Sequence, residues 1–186
     1  MIMNINEIPF EDEALKNAVI ATGVTTVEEL TELRARKSDI RSAAGIEYLT
    51  HLKLLDLTRN LLIEIDLSKN TQLEEVYLGN NQLTSLDVSH NPELSHLELF
   101  MNDIRVLDLS HNSKLETLYM SANDLEVLDL SANPLIEELL LADNNLEGLD
   151  IAANPSLIRL DVQGNPLTVG HKESLKSTSQ LRSLKL

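Results

Sequence analysis

The chain repeats itself every 21 residues, and that period limits what it can fold into more than any other feature. With Leu52 as the first position, the same place is filled by Leu73, Leu94, Leu115, Ile136 and Leu157. The fourth position reads Leu55, Val76, Leu97, Leu118, Leu139, Leu160, and the sixth Leu57, Leu78, Leu99, Met120, Leu141, Val162. The ninth is asparagine throughout, at Asn60, Asn81, Asn102, Asn123, Asn144 and Asn165. The eleventh returns to Leu62, Leu83, Ile104, Leu125, Leu146 and Leu167. An uninterrupted period of this length is the mark of stacked coils, because one coil cannot bury its leucines alone and each neighbour covers the last.

The fourth and sixth positions alternate with polar residues, which predicts a short strand with one buried face. Stacking then builds a parallel sheet with strands about 4.8 Å apart. Each buried leucine contributes roughly 1.5–3 kcal/mol before conformational entropy is counted. The asparagine lies between buried positions, so it points inward at a turn, where its amide satisfies backbone groups that water does not reach. These six asparagines therefore read as structural. The second half of each repeat echoes the first, as in "LDLSHN" from Leu107 to Asn112. The opposite wall should thus be extended, with too few residues for a long helix and two turns. Proline after Asn91, Asn133 and Asn154 closes that wall at a corner.

The ends of such a stack need covers. Residues 1–29 read as a helical cap: "PFEDEALKNAVIATG" has acidic residues in its first turn, a stripe of Leu15, Ala18 and Val19, and Gly23 as a stop. "TVEE", from Thr26 to Glu29, predicts a second short helix opened by a capping box. Residues 30–51 read as a degenerate opening repeat, with Leu30, Leu33, Ala35 and Ile40 in the buried places and Ser38 in that of asparagine. Six repeats follow over 52–167, as 52–72, 73–93, 94–114, 115–135, 136–156 and 157–167 onward. Residues 168–186 break the period and read as a C-terminal cap or truncated final repeat, with a short helix near 171–177 and a last strand within 181–186. Ending on a strand pattern suggests a cut within a longer array, or an edge shared with a second copy.

The pattern LxxLxLxxNxL resembles the leucine-rich repeat family. "GIEYLTHLKLLDLTRN" (45–60) after an acidic helical cap looks like the start of bacterial leucine-rich repeat proteins of the internalin type. The 21-residue period with "LDLSxN" is similar to the internalin J subgroup, although that subgroup's cysteine column is absent. The resemblance implies an α/β solenoid: a right-handed superhelix with a parallel concave sheet, a largely extended convex side and a helical N-terminal cap. It also implies a surface or secreted protein used for adhesion or host-protein contact.

Composition narrows the chemistry. There is no cysteine, which excludes disulfides, thiolate metal sites and cysteine nucleophiles. Residues 52–167 hold 20 of the 30 acidic residues and 6 of the 15 basic ones, so the repeats repel nucleic acid. No apolar run approaches the roughly 20 residues that span a bilayer, so no direct membrane insertion is expected. "MIMNINEIPF" has no leader pattern, which predicts either a cytoplasmic protein or an extracellular one whose leader has been removed. The pattern leaves the oligomeric state unspecified.

No enzyme chemistry is expected, and no cofactor. "SHN" occurs at 89–91 and 110–112, but neighbours on an extended chain point to opposite sides, so Ser89 and His90 should not face each other as nucleophile and base. His90 and His111 occupy equivalent places in adjacent coils and read as surface histidines. The aspartates Asp66, Asp87, Asp108, Asp129 and Asp150 form a column on the convex side, each between two buried apolar residues. Carboxylates about 5 Å apart repel by roughly 1–3 kcal/mol. Either local bonding to Ser68, Ser89, Ser110 and Ser131 offsets this, or a cation such as calcium does, with Asp87, Asp108 and Asp129 as its convex ligands.

The concave face offers the sharper signal, at the third, fifth and seventh positions. Three of the chain's five aromatic residues fall there in successive coils, as Tyr77, Phe100 and Tyr119. Met101 and Leu140 adjoin them, with Glu75, His96, Glu98, Glu138 and Arg159 as a charged rim. An apolar, aromatic patch inside a polar rim is the anatomy of protein-binding hot spots. The expected function is therefore recognition of a protein or peptide, preferentially basic, on the concave face. The alternative is a structural spacer or adhesin stalk in a larger bacterial surface protein, cation-stabilised on its convex side.

Overall fold

The computed structural model describes residues 3–186 as a stack of coils that share one eight-stranded parallel sheet, and Met1 and Ile2 of the expected cap lie outside the described residues. The strands are β1 (Glu32–Arg34), β2 (Leu54–Asp56), β3 (Glu75–Tyr77), β4 (His96–Glu98), β5 (Thr117–Tyr119), β6 (Glu138–Leu140), β7 (Arg159–Asp161) and β8 (Ser183–Lys185). They pair in sequence order. The register puts Leu33, Leu55, Val76, Leu97, Leu118, Leu139, Leu160 and Leu184 in one line across the sheet. The strands β1 to β7 bury their central residue, and all but β2 leave the two outer ones at least partly exposed on the concave side, as the alternation predicted. From Leu33 to Leu160 every member of that line is fully buried.

The return walls of the first five repeats contain neither helix nor strand. In the sixth, helix α2 (Val169–Lys176) takes that place, and its buried Leu175 occupies the position that asparagine holds in the preceding coils. The N-terminal end is covered by helix α1 (Glu13–Ile20), which lays Leu15 and Val19 on the core. Asp12 caps this helix by accepting from the N–H groups of Ala14 and Leu15, and its other oxygen accepts from Arg41 at 2.7 Å and Ser42 at 3.3 Å. Burial pushes the Asp12 carboxyl up, but these N–H donors outweigh it and hold the group below its ordinary range. "TVEE" forms one 3₁₀ turn, Val27–Glu29, because Glu29 closes the capping box on Thr26 and the chain then enters β1 two residues after Leu30.

The ninth-position asparagines join the coils. Asn102 donates through Nδ2 to the carbonyls of Leu99 in its own coil and Leu78 in the one before, both at 3.0 Å. Its Oδ1 accepts from the N–H of Leu83, also at 3.0 Å. Asn81, Asn123, Asn144 and Asn165 repeat the arrangement. Asn60 compensates for Ser38 in the opening coil, its Oδ1 accepting from the N–H groups of both Ser38 and Ile40. The residue before each asparagine has a left-handed backbone, with φ of 58° at Arg59, 55° at Met101, 57° at Ala122 and 72° at Gly164. That turn aims the amide inward, at a steric cost of roughly 1–2 kcal/mol wherever the residue is not glycine.

A second ladder runs along the convex wall. Asn70, Asn91, Asn112, Asn133 and Asn154 are fully buried, and each Nδ2 donates to two backbone carbonyls of the preceding coil. Their Oδ1 atoms have no protein partner. The two ladders therefore carry different loads, three backbone groups per asparagine in the first and two in the second. Replacing Asn123 by alanine should destabilise the protein by about 1–3 kcal/mol, because it orphans the buried N–H of Ile104, while the Leu99 and Met120 carbonyls keep the amides of Asn102 and Asn144. Asn112→Ala should cost less than Asn123→Ala, and urea denaturation of the two variants checks both the size and the order.

Candidate functional site

The concave sheet places two polar rows side by side. The third-position row runs Glu75, His96, Thr117, Glu138, Arg159, and the fifth-position row Tyr77, Glu98, Tyr119, Leu140, Asp161. The His96 ring sits between two tyrosines, 4.9 Å from Tyr77 at an interplanar angle of 34° and 5.6 Å from Tyr119 at 74°. These rings cross three adjacent strands. Aromatic pairs at such separations gain about 0.5–1.5 kcal/mol beyond their burial.

The carboxylates do not form a passive rim. Tyr77 donates its hydroxyl to Glu75 Oε2 at 2.6 Å, and Tyr119 donates to Glu138 Oε2 at 2.6 Å. His96 Nε2 lies 3.0 Å from Glu98 Oε1, and Arg159 donates to Glu138 at 3.2 Å. Burial, then the hydrogen bond to Glu75, pushes the Tyr77 phenol well above its ordinary range. Burial and the bond to Glu138 raise Tyr119 to about 12. Both phenols are therefore uncharged donors at any physiological pH.

Of the residues singled out by sequence, the structure brings Tyr77, His96 and Tyr119 into one row and sets Leu140 beside Tyr119 in the register. Phe100 lies elsewhere, its ring over Gly79 of the preceding coil. A Cβ at Gly79 would stand 2.4 Å from Phe100 Cε1, so the glycine is what lets the ring lie flat on the backbone. Met101 is the left-handed residue next to it and is 53% exposed. His96, expected in the charged rim, has its ring between the two tyrosine rings. The signal was present in the register, since a third-position side chain falls between fifth-position tyrosines on either side.

On the convex wall all five aspartates are exposed, and each Oδ1 accepts from the N–H two residues on. Distances run from 2.8 to 2.9 Å. Local bonding offsets the repulsion, with the backbone amide as a donor that sequence reasoning did not single out, and Ala152 serves Asp150 where no hydroxyl exists. The amide and hydroxyl of Ser68, Ser110 and Ser131 hold Asp66, Asp108 and Asp129 below the ordinary carboxylate range, and the hydroxyl and amide of Ser89 do the same for Asp87. Among the described residues, no group of three or more His, Asp or Glu side chains is placed to hold a metal ion.

The expectation for Ser89 and His90 is corrected. Ser89 Oγ lies 3.1 Å from His90 Nδ1, and Ser110 Oγ lies 3.0 Å from His111 Nδ1. The chain turns at these residues, so the strand rule that sends neighbours to opposite sides does not apply. Both pairs are exposed. Each is a surface hydrogen bond on a turn, with nothing enclosing a substrate.

Coils closed by an inward asparagine around a parallel concave sheet define a leucine-rich repeat protein. With repeats of 21 residues behind a helical cap, the fold is that of the internalin type. The functional domain of internalin J from Listeria monocytogenes, which includes a cysteine ladder, is 27% identical with a TM-score of 0.59. The match covers 99% of this chain and 52% of that one, so the chain spans about half that domain's length. Internalin C2 from the same bacterium superposes with a TM-score of 0.71 at 24% identity, covering 100% of this chain and 97% of that one. A leucine-rich repeat protein of Leptospira interrogans matches 84% of this chain and 49% of its own, at 22% identity and a TM-score of 0.63. No protein-family profile matches the sequence, and no curated protein matches it. Among the described residues no helix is long and apolar enough to cross a membrane.

The aspartate column predicts an acid dependence. A carboxyl held below its unfolded pKa adds stability that is present above the unfolded value and lost as pH falls through the folded one. Stability should therefore drop as pH falls below the ordinary aspartate range and through the lowered folded values. A variant carrying Asp66→Asn, Asp87→Asn, Asp108→Asn and Asp129→Asn keeps the turn acceptors and removes the charges, so its loss over that interval should be smaller. Denaturant midpoints measured across the range check this.

Proposed function

We propose that this protein is a non-enzymatic recognition module that binds another protein or peptide on its concave sheet. The observation that carries the reading is the Tyr77–His96–Tyr119 row, whose rings lie half-buried across β3, β4 and β5 with polar tips already held by carboxylates. Rigid aromatic side chains present large area at little entropic cost, and bound polar tips need no reorganisation when a partner arrives. The convex wall contrasts with it, since its aspartates spend their acceptors on their own backbone. Phe100 and Met101 extend the surface at the strand end, and the acidic surroundings favour a basic partner.

The test is affinity capture from a bacterial or host lysate with the wild-type protein and with a Tyr77→Ser, Phe100→Ser, Tyr119→Ser variant. The variant's melting is checked first, because Phe100 also covers Gly79. The expected result is a protein retained by the wild type and lost by the folded variant. Equal retention would refute the concave reading and leave a structural spacer as the better account.

A further inference from the structure

We infer that the concave face takes an extended protein segment through an arginine, whose guanidinium docks on the Glu75 carboxylate beside the Tyr77 ring. The inference rests on the concave reading above and names the partner chemistry for it. The chain contains its own example of the arrangement. Glu138 Oε2 accepts the Tyr119 hydroxyl at 2.6 Å and an N–H of Arg159 at 3.2 Å. Three coils earlier, Glu75 Oε2 accepts the hydroxyl of Tyr77 at the same 2.6 Å, here from its own strand and not from the preceding one. No lysine, arginine or histidine is ion-paired with Glu75 among the described residues. Where the sheet register puts Arg159 next to Glu138, it puts His96 next to Glu75, and that ring is turned to Glu98. The Glu75–Tyr77 pair thus has the donor and acceptor of a completed site without its cation.

The charge around it points the same way. The second to seventh positions of the coils that start at Leu73, Leu94, Leu115 and Ile136 contain six glutamates and no lysine or arginine. Lys53 and Arg159 reach in only from the strands on either side, to Glu74 and Glu138. Arg34, the other cation near Tyr77, is paired with Glu32 at 3.3 Å. A guanidinium suits this surface better than an ammonium, because its flat fork donates to a carboxylate while its face lies on a tyrosine ring. The rest of the row sets the length of the segment. Tyr77, Glu98, Tyr119 and Leu140 occupy four neighbouring strands, a span of about 14 Å. An extended chain covers that in about four residues, which places an apolar side chain on Tyr119 and Leu140 about four residues from the arginine.

Selection of a random displayed-peptide library on the full protein tests this without presuming a partner. The expected binders carry arginine followed by an apolar residue, and they shift the amide resonances of β3 to β6. Their affinity should fall about tenfold on Glu75→Gln, on Tyr77→Phe, or on replacing the arginine by neutral citrulline, which is the scale of one charge-assisted hydrogen bond. Glu116→Gln makes the same charge change at an exposed residue one place before β5 and serves as the folded control, with little loss expected. Concave-face binders that lack arginine enrichment, accept lysine without loss or ignore Glu75→Gln overturn this inference and leave the concave reading standing. Binders that map to the convex wall, or none at all, overturn both.

Discussion

Everything in this molecule hangs on an amide reaching from one coil into the next. A leucine core packs but has no direction, and stacked leucines alone would tolerate sliding of one coil on another. The ninth-position asparagine removes that freedom. Its two donors and one acceptor meet backbone groups on both sides of a single interface, at distances of 2.8–3.2 Å across the whole array. Away from the two ends, each such carbonyl accepts from the asparagines of two successive coils, as Leu99 does from Asn102 and Asn123, so the amides and the register imply each other. The requirement reaches back to the preceding residue, which adopts a left-handed backbone even where it is Arg59, Met101 or Ala122. Tolerating that conformation in residues with a Cβ shows how strongly the inward amide is held.

Once the corner is fixed, the two walls have different freedoms. On the convex side each aspartate accepts from a backbone N–H, so the exposed polar residue is still part of the coil. It recurs because the turn recurs. On the concave side the fifth-position Asp56 and Asp161 also accept backbone N–H groups, but across β3 to β6 the side chains at the third and fifth positions bond to one another, through Tyr77 to Glu75, His96 to Glu98 and Tyr119 to Glu138. The coil makes no demand on their identity beyond strand geometry. Residues that differ from coil to coil while the frame stays constant are where a partner can be specified, and this surface is also where the chain's aromatic residues gather.

This division explains what could be read from the sequence. The sheet, its register, the inward asparagines, the capping helix and the extended return wall all follow from period and alternation, because each depends on local rules repeated many times. Three features did not follow. The second asparagine ladder was legible as a corner but not as a line of buried bonds between coils, since "LDLSxN" reads equally well with its amide in water. The Ser89–His90 contact depends on where extended chain becomes turn, a boundary that the period alone does not mark. The place of His96 depends on side chains meeting diagonally across strands, which strand spacing permits but composition does not announce.

The net charge of -15 can now be assigned by wall. Convex aspartates are held ionised by backbone N–H groups, so their charge belongs to the fold and persists whatever the surface meets. The glutamates of the tyrosine row are held by hydroxyl and imidazole donors, and of these Glu138 has an arginine beside it while Glu75 and Glu98 have neither lysine nor arginine in an ion pair among the described residues. A tyrosine hydroxyl satisfies a lone pair and leaves the negative charge uncompensated. The tyrosine tips are therefore held by hydrogen bonds, while the Glu75 charge is left without a paired cation among the described residues. A surface in that state stays folded and rigid without a partner, yet still gains from one that brings a cation, because the partner disturbs few existing bonds to supply it. That combination, more than the presence of aromatic rings alone, separates this face from a merely solvated sheet.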